Sequence, residues 1–193
     1  MKGILFKEKM FKAVLRGAKT QTRRICPVQP LDNRDWTLGR LISTTTKENE
    51  KNVGKFYFAI LDGNAIKYAD KRYFFPKYYV DEIIYIKEPY TTAEDNSVVY
   101  KYSIDPKDAL GYKWASAMFM PERLSRVFLK VSSIRIERLQ TIKKDPYYYF
   151  DYFREGFDSP QDFFDYWDAI NEKGHKWEDN PFVFVYCFER TEK

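Results

Sequence analysis

Residues 16–24 read RGAKTQTRR, so Lys19, Arg23 and Arg24 stand among Thr20, Gln21 and Thr22 with no acid beside them. Two chemistries suit that set. Kept charged, the three cations bind phosphate or carboxylate, the arginines through a planar fork and the lysine as a point charge. Deprotonated, a lysine takes the proton of a threonine hydroxyl and makes it a nucleophile. The threonines also have an ordinary structural use, satisfying backbone groups beyond a helix end. From Lys9 to Pro30 there are six cations and no acid, which leaves 27 cations against 28 acids in the rest of the chain. One segment therefore carries the whole +5 excess. A field so concentrated suits a polyanion or a phosphorylated ligand, or else it is a solvated basic face.

Other chemistries are excluded. None of the eight glycines falls in a phosphate-loop or dinucleotide-fingerprint spacing, and no serine-hydrolase elbow occurs. The single histidine, His175, rules out a His-rich zinc site and reads as a surface residue in a polar loop. Cys26 and Cys187 give neither metal spacing nor a disulfide framework. No cofactor is implied, and catalysis would have to come from Lys, Thr, Ser, Glu or Asp. The opening MKGILFKEK is too short an apolar run for a signal peptide or a membrane span, so a cytoplasmic chain with no membrane partner is expected.

The elements that must position these residues follow from periodicity. GILF reads as a first strand, and EKMFKAVLRG as a short helix with Met10, Phe11, Val14 and Leu15 on its apolar face and Gly17 at its stop. The cationic run begins where that helix ends. Residues 31–80 read as an irregular insertion with strand pieces at TLGRLISTT, KFYFAILDG and AIKYAD, a turn at LDGNAI and a loop tip at KENEKN. No chemistry is expected there. EIIYIKEPY reads as a strand ended by Pro89, with SVVYKYSI as its partner. In RVFLKVSSIRIERLQ the inward set passes from Val127, Leu129 and Val131 to Ile134 and Ile136, so a bulge is expected at Ser132 and Ser133, curling the sheet toward a barrel. DPYYYFDYFREG and SPQDFFDYWDAINEKG read as helices, the second capped by Ser159 and Pro160 and burying Phe163, Phe164, Trp167 and Ile170. FVFVYCFE, apolar on both faces, reads as a central strand. The aromatic clusters YFFPKYY and YYYFDYF read first as core, with base stacking as the alternative.

In order, ILFKEKMFKAVLRGAKTQTRR, DEIIYIKEPY, KWASAMFMPERLSRVFLKVSSIRIERLQTI, REGF, FDYWDAIN and KWEDNPFVFVYCFER resemble the blocks of the ASCH domain in its longer, phage-associated form. The resemblance leaves much of residues 31–80 unmatched. It implies an α+β fold, a PUA-like β-barrel with flanking helices, formed by residues 1–193 as one domain. It further implies a cleft that binds RNA, a nucleoside or a modified base. Small relatives act as amidohydrolases on acylated cytidine through a lysine, a threonine and a glutamate, which fall here on Lys19, Thr22 and Glu155; ribonuclease activity is a weaker alternative. Thr20, Arg23 and Arg24 then become binding residues. Lys87 and Glu88 are either a cross-strand ion pair or part of the pocket lining, and Ser125 and Arg126, beside MPERL, are candidates for the same cleft.

The chain departs from the resembled pattern at Asp81, where that pattern has glycine, at Lys87 in place of a forked arginine, and at Ala117 and Phe119 in place of a serine and a histidine. For acyl transfer, Lys19 must be neutral near pH 7, which asks for about 4 kcal/mol of destabilisation of its charged form. A guanidinium about 6 Å away supplies near 2.8 kcal/mol at an effective dielectric of about 20, so Arg23 and Arg24 together could suffice, against the carbonyl end of the preceding helix and an ionised Glu155; the chemistry works best with Glu155 protonated.

Overall fold

Residues 1–30, 35–40, 54–70, 72–143 and 148–193 are described by a computed structural model. Strand β1 (Lys2–Leu5) leads into helix α1 (Glu8–Leu15), which buries Met10, Phe11, Ala13 and Val14. Gly17 stops the helix at φ 74°, a conformation that costs glycine nothing. Leu15, expected on the apolar face, stays exposed. The cationic run that follows is not a loop. Residues Gln21–Ile25 form strand β2.

The main sheet has the order β1-β6-β9-β10-β2, with β6 at Ile83–Lys87, β9 at Phe128–Arg138 and β10 at Phe182–Thr191. Only the β1–β6 pair is parallel. Cys187 pairs with Ser133 and Phe188 with Val131, which leaves Ser132 as the extra residue of the expected bulge. The sheet does not close into a barrel. Strands β1 and β2 remain its two edges. The fold is α+β.

Residues 31–80, read as irregular, supply a second sheet of β3 (Thr37–Arg40), β4 (Phe56–Asp62) and β5 (Ala65–Ala69), with Gly63 at φ 59° in the β4–β5 turn. The loop expected at KENEKN lies outside the described residues. This sheet packs on the face of β10 that carries Phe182 and Phe184. Phe58 meets Phe182 at 4.6 Å between ring centroids, and Phe74 meets Phe184 at 5.9 Å. Each fully buried Phe contributes about 1.5–3 kcal/mol, so these rings outweigh surface ion pairs at about 0–1 kcal/mol. The expected pairing of SVVYKYSI with EIIYIKEPY is confined to the very end of the latter, where Tyr90 faces Tyr100. Instead β8 (Val98–Tyr100) makes a separate hairpin with β7 (Tyr90–Thr92), because Pro89 breaks the ladder and β1 and β9 already occupy both sides of β6.

Two helices cover the remaining flank, α2 (Tyr148–Arg154) and α3 (Pro160–Ile170). Ser159 caps α3 as expected, its hydroxyl accepting from the Asp162 amide at 3.1 Å. Phe163 and Trp167 are buried, Phe164 partly so, and Ile170 is exposed. Among the described residues no helix is long and apolar enough to cross a membrane.

Candidate functional site

Strand alternation sorts the cationic block. Arg23 pairs with Val185, which in turn pairs with Arg135 on β9, so the two arginines share one face of the sheet, toward α2. Thr22 and Arg24 pair with Tyr186 and Phe184 on the opposite face. One strand thus feeds two environments.

On the first face lies a buried ion-pair hub. Lys19 precedes β2 and faces Glu155 in an isolated antiparallel bridge, just past the end of α2. Its ammonium has three donors and three acceptors: the Gln21 carbonyl at 2.8 Å, the Glu155 carbonyl at 2.7 Å and Glu155 Oε2 at 3.1 Å. Arg23 donates to Glu155 Oε1 at 2.9 Å, Asp151 Oδ2 at 2.7 Å and Glu137 Oε1 at 2.8 Å. Arg135 adds bonds to Glu137 and Asp151. Three cations therefore meet three carboxylates. Among these contacts only the Arg23 Nε lacks an acceptor. Burial lowers the Lys19 pKa from its ordinary value, Glu155 pulls it back, and Arg24 and Arg23 push it down further. The carboxylates hold Arg23 charged, above its ordinary value. Gly156, at φ 86°, lets the chain pass over Lys19. A Cβ there would lie 3.0 Å from Ala13 Cβ and 3.2 Å from Lys19 Cβ.

Lys19, Thr22, Arg24 and Glu155, with Phe157 and Tyr166, border one small hollow of about 20 Å³. That is room for about one water. The residues expected to form a catalytic trio are thus gathered in one place, closed to anything larger. Phe6 lies close to two cations, with Lys19 Nζ 5.3 Å and the Arg24 guanidinium 5.6 Å from its ring centroid.

On the other face a cleft of about 620 Å³ opens along the gap between β1 and β2. Among the described residues its cations are Arg24, Lys77 and Lys87, and no carboxylate lines it. Phe184, Tyr186 and Tyr78 form buried aromatic surface, and Phe75 is exposed. Two side chains tie β1 to what lies across the gap, Arg24 from β2 and Tyr78 from the segment before β6. Arg24 donates to the Leu5 carbonyl at 2.8 Å, and the Tyr78 hydroxyl donates to the Gly3 carbonyl at 3.0 Å. The Lys87 stem lies across Gly3, where a Cβ would stand 2.4 Å from Lys87 Cε, and its ammonium donates to the Met118 carbonyl at 2.8 Å. Lys77 is the residue that sequence reasoning missed. It sits in a stretch with no motif, and its backbone amide is fixed by the Tyr186 hydroxyl at 2.9 Å.

The other candidates lie elsewhere. Thr20 is exposed and serves through its backbone, donating to Arg154 and accepting from Phe188. Glu88 is buried and pairs through both oxygens with Arg126, at 2.7 and 2.9 Å, rather than with Lys87. Arg126 lies 4.4 Å from the Tyr100 ring centroid, and the pair lines neither the hollow nor the cleft. Ser125 donates to the Ile86 carbonyl at 2.9 Å, tying the start of β9 to β6. Asp81, the departure from glycine, takes φ 66°, a conformation that Asp tolerates better than most residues. Among the described residues no group of three or more His, Cys, Asp or Glu is placed to hold a metal.

No family model matches the chain, and no curated protein or solved structure matches it either.

Proposed function

We propose that this chain binds a nucleotide in the cleft between β1 and β2, and that its open, curled sheet corresponds to the barrel of a PUA-like ASCH domain. The observation that carries the reading is the cleft itself: cations gathered without a carboxylate, over aromatic surface, in a space suited to one small ligand. Arg24 and Lys87 serve the anionic part, and Phe75 offers an exposed ring for a base. Lys19 and Arg23 drop out as phosphate ligands because Glu155, Asp151 and Glu137 already neutralise them. The test is a calorimetric titration with nucleosides, nucleotides and short RNAs at two salt concentrations. Affinity for the charged ligands should fall on going from low to physiological salt. Binding that ignores salt, or none at all, overturns the reading.

A second reading rests on the shared hollow. In it neutral Lys19, made less basic by burial, takes the Thr22 proton as the hydroxyl attacks the acyl carbon of an N4-acylated cytidine; the C–N bond breaks, the amine leaves with that proton passed on through Glu155, and water then hydrolyses the Thr22 ester to free the acid. Since the hollow holds about one water, its lining must open to admit substrate. Incubation with N4-acylated cytidine and mass spectrometry of the products tests this. Release of the acyl group by the wild-type chain and not by Thr22→Val supports it; no release by the wild-type chain removes it.

A further inference from the structure

The cations of the cleft are not equivalent. Arg24 is held by the Leu5 carbonyl and Lys87 by the Met118 carbonyl, each with donors to spare. The Lys77 ammonium has no acceptor among the described residues and lies 5.4 Å from the Tyr78 ring centroid. Its main chain, by contrast, is fixed. The Lys77 amide donates to Tyr186, and neighbouring Tyr78 is buried and bonded to Gly3. A lysine on an anchored backbone, sharing one cleft with two other cations and given no acceptor among the described residues, is a site suited to negative charge. Glu82 lies outside the lining and is engaged by Lys2 at 3.1 Å. Burial, and then repulsion from Arg24, Lys87 and Lys2, lowers the Lys77 pKa from its ordinary value, and an anion between these groups would relieve that repulsion.

We infer that Lys77, Arg24 and Lys87 form a subsite for a terminal phosphomonoester, so that the cleft selects a nucleotide carrying a free phosphate over a nucleoside or an internal phosphodiester. The inference rests on the nucleotide reading of the cleft. Its basis is charge count and volume. A phosphomonoester carries about −1.5 to −2 at pH 7, whereas a diester in a strand carries one charge. Three cations confined to one hollow of about 620 Å³ match the former. A strand bound along its length would instead call for cations spread along a groove. The monoester belongs either to a free nucleotide or to the end of an RNA.

The experiment compares, on the full chain, a cytidine, its 5′-monophosphate, the methyl ester of that monophosphate, and a short RNA with 5′-phosphate or 5′-hydroxyl. The monophosphate should bind at least about tenfold more tightly than its methyl ester, a difference of about 1.4 kcal/mol. Lys77→Met should abolish that preference. In ³¹P spectra the bound phosphate should stay dianionic below its free pKa of about 6. Preference for the phosphorylated RNA end over the free nucleotide, or the reverse, tells which molecule supplies the monoester. Equal affinity for monoester and methyl ester overturns the subsite and leaves the nucleotide reading standing. A failure of every compound to bind removes both. The wild-type comparison of monoester with ester needs no variant, so it decides the matter even if Lys77→Met misfolds.

Discussion

Arg24 reaches from one edge of the main sheet to the other, its guanidinium donating to the carbonyl of Leu5 at 2.8 Å. The contact joins strands that no backbone ladder connects. It also makes Arg24 the shared wall of the small hollow and the open cleft, since it borders both. Replacing it with alanine should cost about 1 kcal/mol of stability, because the bond is charge-assisted but partly solvated. Nucleotide affinity should fall about tenfold. Urea melts and ligand titration measure the two losses, and unchanged affinity would count against the cleft as the binding site.

The buried hub predicts a larger effect. Lys19→Met leaves Glu155 with Arg23 alone and strands two buried carbonyls. A loss of about 3–5 kcal/mol is expected, the usual cost of breaking one side of a buried pair. Arg23→Met should cost more, because it leaves three carboxylates together with Lys19, Arg135 and the more distant, exposed Arg154 to offset them. Equilibrium denaturation gives the order; an Arg23 variant as stable as the wild type would mean that the hub is solvated.

Gly156→Ala tests how closely the chain passes Lys19. The left-handed φ alone costs a residue with a Cβ about 1–2 kcal/mol. The contacts with Ala13 and Lys19 add to it. By comparison, Gly17→Ala meets nothing within 4 Å and should pay only the backbone cost. The difference in melting midpoint between the two variants measures the crowding.

Alkaline pH should loosen the fold. Burial raises Tyr78 and Tyr186 from 10.0 to about 12. Below pH 10 their stabilising contribution is fully present, and it is lost as pH climbs to about 12, since the unfolded chain gives up these protons first. The loss is about 2–3 kcal/mol for each. Cys26, also raised by burial, acts in the same direction. Lys19 acts oppositely, but its contribution is complete by its ordinary value of 10.5. Absorbance titration of the phenolates should show late-ionising tyrosines, one of which disappears in Tyr186→Phe.

Local chemistry is the part legible in the sequence. The phase change at Ser132, the Ser159 cap and the Gly17 stop each depend on a few neighbouring residues, and each forms where expected. Partners distant along the chain are not legible. Arg23 finds its acids 114 to 132 residues away, so nothing near RGAKTQTRR shows that it is already neutralised. Lys77 is hidden for the same reason: its role comes from Tyr186 and Gly3, not from its own neighbours. The pairing of SVVYKYSI goes astray because alternation reports a strand's faces and not which strand lies beside it.

The strand order carries a consequence for how the molecule is made. Strand β2 pairs only with β10, more than 150 positions further along the polypeptide. During synthesis the basic block must therefore wait, without its strand partner and positively charged, until β10 has left the ribosome. Such long-range closure is slow, and it leaves this charged segment unshielded by its ladder through the making of more than 150 further residues.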